Sequence, residues 1–355
     1  MTAYHIATIP GDGIGKEVVA EAVRVLQHLG GMFDFEIAWT RYPWSCEYYL
    51  EQGRMMPADA IDQLRRHDAI FLGAVGFPGV ADHVSLWGLL IPIRRAFQQY
   101  VNLRPVRSFH GVRGPLRADL AGGIDLVIVR ENNEGEYSEI GGRLYRDTPA
   151  EVAVQEAIFT RNGVERIVTY AFGLARERKS QLTSATKSNG IIHTMVFWDQ
   201  IVEEVGSRFP DVKRNKVHID ALAAQFVLVP SHLDVIVGSN LFGDILSDLA
   251  AAITGSIGVA PSANLNPERD YPSMFEPVHG SAPDIAGKGV ANPVGQIWSG
   301  AMMLRHLGEV HAADALERAI ASVLDRGDPL TPDLGGSAST KRVTNAVIDA
   351  LSRSA

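Results

Sequence analysis

Two hydrophobic patterns take turns along this chain. Short, nearly uninterrupted apolar runs read as strands buried on both faces. YHIATI (4–9), FDFEIAW (33–39), AIFLGAVG (69–76), NLRPVR (102–107), DLVIVR (125–130), VAVQEAIFT (152–160) and DVIVG (234–238) are of this kind. Between them, apolar residues recur every three or four positions, as on one face of a helix. Such stretches are KEVVAEAVRVLQHL (16–29), ADAIDQLRR (58–66), LLIPIRRAFQQY (89–100), GVERIVTYAFGLARERK (163–179), ALAAQFVLVP (221–230) and LFGDILSDLAAAI (241–253). QLTSATKSNGIIHTMVFWDQIVEEV (181–205) supplies a short strand, a polar turn and a further helix. Three helices close the chain at 294–307, 313–325 and 339–352. Strands alternating with helices predict an α/β protein with a mainly parallel sheet. Residues 257–293, dense in proline and glycine, show no periodic element. Their Tyr271, Met274, Phe275 and Ile285 nevertheless argue against disorder, so a long functional loop is expected there.

Composition narrows the function. A chain of 355 residues, 46% hydrophobic, suits two domains or one large α/β unit. The net charge of −8 disfavours nucleic acid or an anionic membrane as the main partner. Cys46, the single cysteine, excludes an intramolecular disulfide. The opening MTAYHIATIPG lacks the basic and then apolar form of a signal peptide, and no apolar run has the length of a membrane span. A soluble, cytoplasmic protein is expected.

The candidate chemistry starts at residues 234–250. Asp244 and Asp248 lie four apart, so their carboxylates project from one helix face, where two like charges disfavour each other. A divalent cation reverses that sign, and hard oxygen ligands suit Mg2+ or Mn2+. Two solvated aspartates favoured by the helix dipole are the alternative. A third acid, Asp220, stands at the end of VKRNKVHID, read as a strand end; His218 receives no ligand role. Arg94, Arg104 and Arg130 fall at strand and helix ends; as a set they suit a ligand with several carboxylates, which guanidinium groups bind bidentately. Lys187, between Thr186 and Ser188, is either simply exposed or a base, and Tyr137 stands in an acidic loop. The alternating glycines of PGDGIG (10–15) do not make the G-x-G-x-x-G dinucleotide fingerprint and read as a tight strand–helix turn.

Placed in order, IPGDGIGKEV, NLRPVR, VRENNEGEYS, TSATKSNG, SNLFGDILSDL and FEPVHGSAPDIAGKGVANP resemble the β-decarboxylating dehydrogenases of isocitrate, 3-isopropylmalate, tartrate and D-malate over nearly the whole chain. DHVSLWG (82–88), VRENNEGEYS and APSANLNPER point within that family to the tartrate/D-malate branch. The resemblance implies a two-domain isopropylmalate/isocitrate dehydrogenase-like fold that is not Rossmann. Residues 1–100 and 255–355 would form a larger α/β domain carrying the NAD adenosine loop, and 101–254 a central domain with the dimer interface. It implies a homodimer with shared active sites, Lys187 and Asp220 coming from one subunit and Asp244 and Asp248 from the other.

The same resemblance implies the roles. Asp220, Asp244 and Asp248 would hold Mn2+ or Mg2+, which chelates the substrate's 2-hydroxyl and carboxylate. Lys187 would take the hydroxyl proton, hydride would pass to NAD, and Tyr137 would protonate the enol left by decarboxylation. Arg94, Arg104 and Arg130 would hold the carboxylates. An accessory monovalent cation such as K+ is left open. His279, Gly280, Ser281, Ala282, Asp284, Ile285 and Asn292 would bind the cofactor: His279 stacking near the adenine, Asn292 bonding it, and Asp284 accepting from the ribose hydroxyls, which favours NAD over NADP. Trp87 and Leu90, in the almost wholly apolar WGLLIPI (87–93), would shape the substrate pocket, and Gly190 removes a wall side chain. That pocket disfavours isocitrate, whose third carboxylate would be left unpaired. The expected substrate is tartrate or D-malate, with 3-isopropylmalate as the alternative.

Overall fold

The computed structural model describes residues 2–354. Ten strands form one sheet in the order β2-β1-β3-β12-β11-β4-β5-β10-β8-β9. In chain order these are β1 Thr2–Gly11, β2 Phe35–Arg41, β3 Ala69–Ala74, β4 Val101–Arg107, β5 Asp125–Glu131, β8 Gln181–Thr186, β9 Lys213–His218, β10 Val235–Gly238, β11 Pro261–Leu265 and β12 Ser273–Pro277. β6 (Gly141–Leu144) and β7 (Val152–Gln155) make a separate antiparallel hairpin whose residues are all exposed.

The sheet consists of two parallel blocks joined by an antiparallel seam. β2, β1, β3 and β12 pair in parallel, as do β5, β10, β8 and β9. Between the blocks, β12–β11, β11–β4 and β4–β5 are antiparallel. This mostly parallel α/β architecture matches the expected fold class. β3, β10, β11 and β12 are buried at every position, because helices cover both faces of a crossover-connected sheet.

β11 and β12 correct the expectation of a structureless 257–293. Buried on both faces, they show no alternation for a sequence pattern to reveal. Their prolines sit opposite each other at the strand ends, Pro261 against Pro277, where the ladder tolerates them. The expected 152–160 strand shrinks to β7, Ile158 contributing only an isolated bridge to Gly135.

The helix expected over 89–100 starts earlier and ends at Ala96. Asp82–Ser85 runs into a π-turn, Leu86–Leu90, and on into Ile91–Ala96. Pro92 has no amide proton to donate, and the Ile91 N–H bonds the Leu86 carbonyl five residues back. The glycine turn is tight for steric reasons. Gly11 and Gly13 have φ of +70° and +53°, and a Cβ on either would overlap a carbonyl oxygen, of Ala74 and Ser281 respectively.

A candidate active site at the antiparallel seam

The seam gathers side chains that are far apart in sequence. Asn102 and Arg104 alternate onto one face of β4, Arg130 lies near the end of β5, and Arg94 lies at the end of the helix that precedes β4. After β10, Ser239 caps the Asn240–Ile253 helix by accepting from the Phe242 N–H. Glu136 braces the same terminus, accepting from the Ser239 hydroxyl at 2.8 Å and the Leu241 N–H at 3.1 Å. The helix is thereby aimed so that Asp244 and Asp248 face the arginines.

Asp244 is the hub. Its Oδ1 accepts from Arg130 Nη1 and, at 3.3 Å, from Arg104 Nη1; its Oδ2 accepts from the Tyr137 hydroxyl at 3.0 Å. Arg130 also donates twice to Asn240 Oδ1, at 3.0 and 2.7 Å, and its guanidinium carbon lies 5.5 Å from the Tyr137 ring centre. Arg104 donates to Ser247 and approaches Asp248 at 3.6 Å. Arg94 pairs with Glu276 at 2.8 Å, both of them buried. Glu276 in turn accepts from Asn264, whose own Oδ1 accepts from Asn102 and Asn132. This polar line through the centre of the sheet, Glu276 included, was not foreseen from sequence; the only signal was a glutamate within FEPVHG.

Burial sets the electrostatics. It disfavours the charge on Asp244, but Arg130 and Arg104 outweigh it and hold the carboxyl below its ordinary range. Burial raises Asp248, Arg104 opposes the rise, and the like charge of Asp244 reinforces it. Burial and then Arg104 lower Arg130 to about 10. Tyr137 is raised, first by burial and then by Asp244, so its hydroxyl stays protonated. The group is a protonated phenol and a pair of oppositely shifted aspartates set against three buried cations.

Lys187 and Asp220 stand elsewhere. They pair with each other at 2.8 Å, and the Asp220 side chain is 68% exposed. Asp220 lies in the first turn of the Ile219–Leu228 helix rather than at a strand end. Among the described residues, no three His, Cys, Asp or Glu side chains of one chain are grouped to hold a metal ion. Asp244 and Asp248 nevertheless fit a divalent cation: both are oxygen donors on one helix face, and burial, reinforced by the like charge of Asp244, raises Asp248.

The candidate cofactor residues lie along the loop that follows β12. His279 is buried; its Nδ1 lies 3.0 Å from the Gly280 carbonyl, while Nε2 has no partner. That orphaned nitrogen fits a polar edge of a bound heterocycle. Asn292 is engaged at both ends, donating to Asp333 at 3.0 Å and accepting from the Val294 N–H, with a second amide hydrogen free for a ligand. Ser281 gives its carbonyl to the Ile14 N–H, Gly280 borders open space, and Ala282 takes φ +39°. Ile285 packs with Ile14 and Val18, while Asp284 is exposed and without a partner among the described residues. Trp87 and Leu90 are half-buried, and Arg95 lies over the Trp87 ring at 5.1 Å while donating to the Tyr137 carbonyl.

Comparison with known proteins gives a consistent result. The family model described as isocitrate/isopropylmalate dehydrogenase matches residues 5–350. The chain is 54% identical over 355 residues to D-malate dehydrogenase [decarboxylating] of Escherichia coli (strain K12), covering 98% of each. It is 52% identical over 360 residues to tartrate dehydrogenase/decarboxylase of Pseudomonas putida, covering 99% of this chain and 98% of that one. The crystal structure of isocitrate dehydrogenase from Methylococcus capsulatus superposes with a TM-score of 0.88 at 35% identity, covering 98% of this chain and 99% of that one.

Proposed function

Because the chain belongs to the isocitrate/isopropylmalate dehydrogenase family, and is therefore an enzyme that oxidatively decarboxylates hydroxy acids, we propose that its substrate is a small C4 2-hydroxy diacid, D-malate or tartrate, oxidised with NAD. The observation that carries this reading is the meeting of Arg94, Arg104 and Arg130 around Asp244, with Arg94 on the helix that follows the half-buried Trp87 and Leu90. Two carboxylates find cationic partners there. A third, as in isocitrate, would need a further cation, and Arg95, which lies over the Trp87 ring, is already paired with Glu139. 3-Isopropylmalate is the alternative, because Leu90 would accept an apolar branch. Hydrophobic pockets discriminate by only about 1–3 kcal/mol per methylene.

In this reading the arginines orient the diacid, and Lys187 of the partner subunit accepts the 2-hydroxyl proton. Tyr137, kept protonated by its surroundings, delivers a proton to the carbon that loses CO2. Asp244 and Asp248, with the partner subunit's Asp220, would hold Mn2+ or Mg2+, which supplies Lewis acidity to the hydroxyl and the developing negative charge. His279, Asn292, Asp284 and the 280–285 backbone would hold NAD, which supplies the hydride acceptor; the unpaired Asp284 carboxylate disfavours a 2′-phosphate.

A second copy of the chain fits the exposed apolar surface. Leu144 on the β6–β7 hairpin and Leu228, at the far end of the helix whose first turn holds Asp220, are each 62% exposed, and Ile245, next to Asp244, is 52% exposed. A homodimer would cover these and bring Lys187 and Asp220 to the neighbour's Asp244. The proposed domains, 1–100 with 255–355 and 101–254, meet at the β11–β4 pair, beside the arginines. No described helix is long and apolar enough to cross a membrane, and the buried thiol of Cys46 suits a reducing cytoplasm. The deciding experiment compares kcat/KM for D-malate, tartrate and 3-isopropylmalate with NAD and Mn2+. A clear preference for 3-isopropylmalate overturns the substrate assignment.

A further inference from the structure

We infer that Glu17 is a positioning residue for the cofactor, acting by clamping the loop that carries Asp284. The inference rests on the NAD reading above and names a residue outside the expected cofactor set. Glu17 sits in the first turn of the Gly15–Phe33 helix, where an acid is ordinarily explained by the helix dipole. Here its carboxylate has a specific task. Oε1 accepts from the Gly287 N–H, and Oε2 accepts from the Gly289 N–H at 3.1 Å. Both glycines have left-handed backbones, φ +77° and +66°, which turns their amides toward one anion.

The other end of the loop is fixed by the same helix entry. The Ile14 N–H donates to the Ser281 carbonyl at 2.8 Å, and Ile285 packs on Ile14 and Val18. Asp284 lies between the two anchors and is itself unpaired and exposed, so its position depends on them. Charge-assisted bonds from two amides to one carboxylate are among the stronger fixings available to a surface loop. Without them, the loop must be ordered when the nucleotide binds, and that cost falls on cofactor affinity.

The test is NAD affinity, measured by isothermal titration on the full-length enzyme, together with KM for NAD and for D-malate. Glu17→Gln keeps one good acceptor and should raise the Kd and KM for NAD about tenfold, leaving the KM for D-malate and the melting temperature near wild type. Gly287→Ala approaches the clamp from the other side. Its new Cβ would meet nothing within 4 Å, so any effect comes from the strained backbone, and it should raise the same constants. Unchanged NAD affinity in Glu17→Gln and in Gly287→Ala overturns the role of Glu17 while the NAD reading stands. Equal rises in the KM for NAD and for D-malate also overturn it, since that pattern marks general loosening. Failure of the wild type to bind NAD overturns the cofactor reading itself and this inference with it.

Discussion

Asp244 and Asp220 are both aspartates paired to cations, yet their surroundings are opposite. Asp244 is reached by two guanidinium groups held by the sheet and by a phenol from the loop after β5, and its side chain is one-third exposed. Asp220, 68% exposed, meets one lysine that is itself about one-third exposed. A carboxylate that neutralises Arg130, itself almost fully buried, contributes to the fold as well as to the site. An exposed ion pair contributes little to either. The single chain thus carries a cation-rich group around Asp244 and, apart from it, the Lys187–Asp220 ion pair.

The largest expected effect separates the two by stability. Asp244→Asn should lower kcat by at least about a thousandfold and also lower the melting temperature, because it leaves Arg130 short of its anionic partner. Lys187→Met should abolish oxidation without moving the melting temperature, because an ion pair to the exposed Asp220 contributes little to stability. Similar melting temperatures for both variants would dissolve the contrast.

Next in size is complementation. If the pair serves the neighbour, Asp244→Asn and Lys187→Met chains unfolded and refolded together should recover about a quarter of wild-type activity, since half the dimers are mixed and each of those has one intact site. No recovery from a mixture shown to contain heterodimers would remove Lys187 from the neighbour's site.

Tyr137→Phe should slow turnover about a hundredfold while leaving the first hydride transfer visible as a burst of NADH. A loss of the burst equal to the loss of turnover would move Tyr137 from proton delivery to substrate binding.

The smallest effect concerns the shift of Asp248. Its folded carboxyl is raised above the unfolded value, so the folded state keeps more protons and loses stability as pH climbs through that interval. At neutral pH the penalty is fully present. Asp248→Asn should therefore raise the melting temperature of the chelator-treated protein slightly and cancel the further rise that Mn2+ gives the wild type. Asp244 has the opposite sign: its lowered carboxyl stabilises at neutral pH, and that contribution is lost as pH falls through the lowered value.

The sequence by itself determined the α/β class, most helices and the residue types of the site, because these are written in local periodicity and in motifs such as SNLFGDILSDL. Two of the expected helices, Val294–Leu307 and Asn240–Ile253, fall within a residue of their expected bounds. Strands buried on both faces carry no alternation, so β11 and β12 could not be read from 257–293, and the π-turn before Pro92 left no periodic trace. Tertiary structure alone decided that the seam is antiparallel, that Arg94 answers to Glu276, and that Asp244 rather than Asp248 is the hub. The pairings of Arg94 and of Asp244 join residues more than a hundred positions apart, 182 for Arg94 and Glu276 and 114 for Arg130 and Asp244. A local pattern states which side chains share a face; it does not state which distant face they will meet.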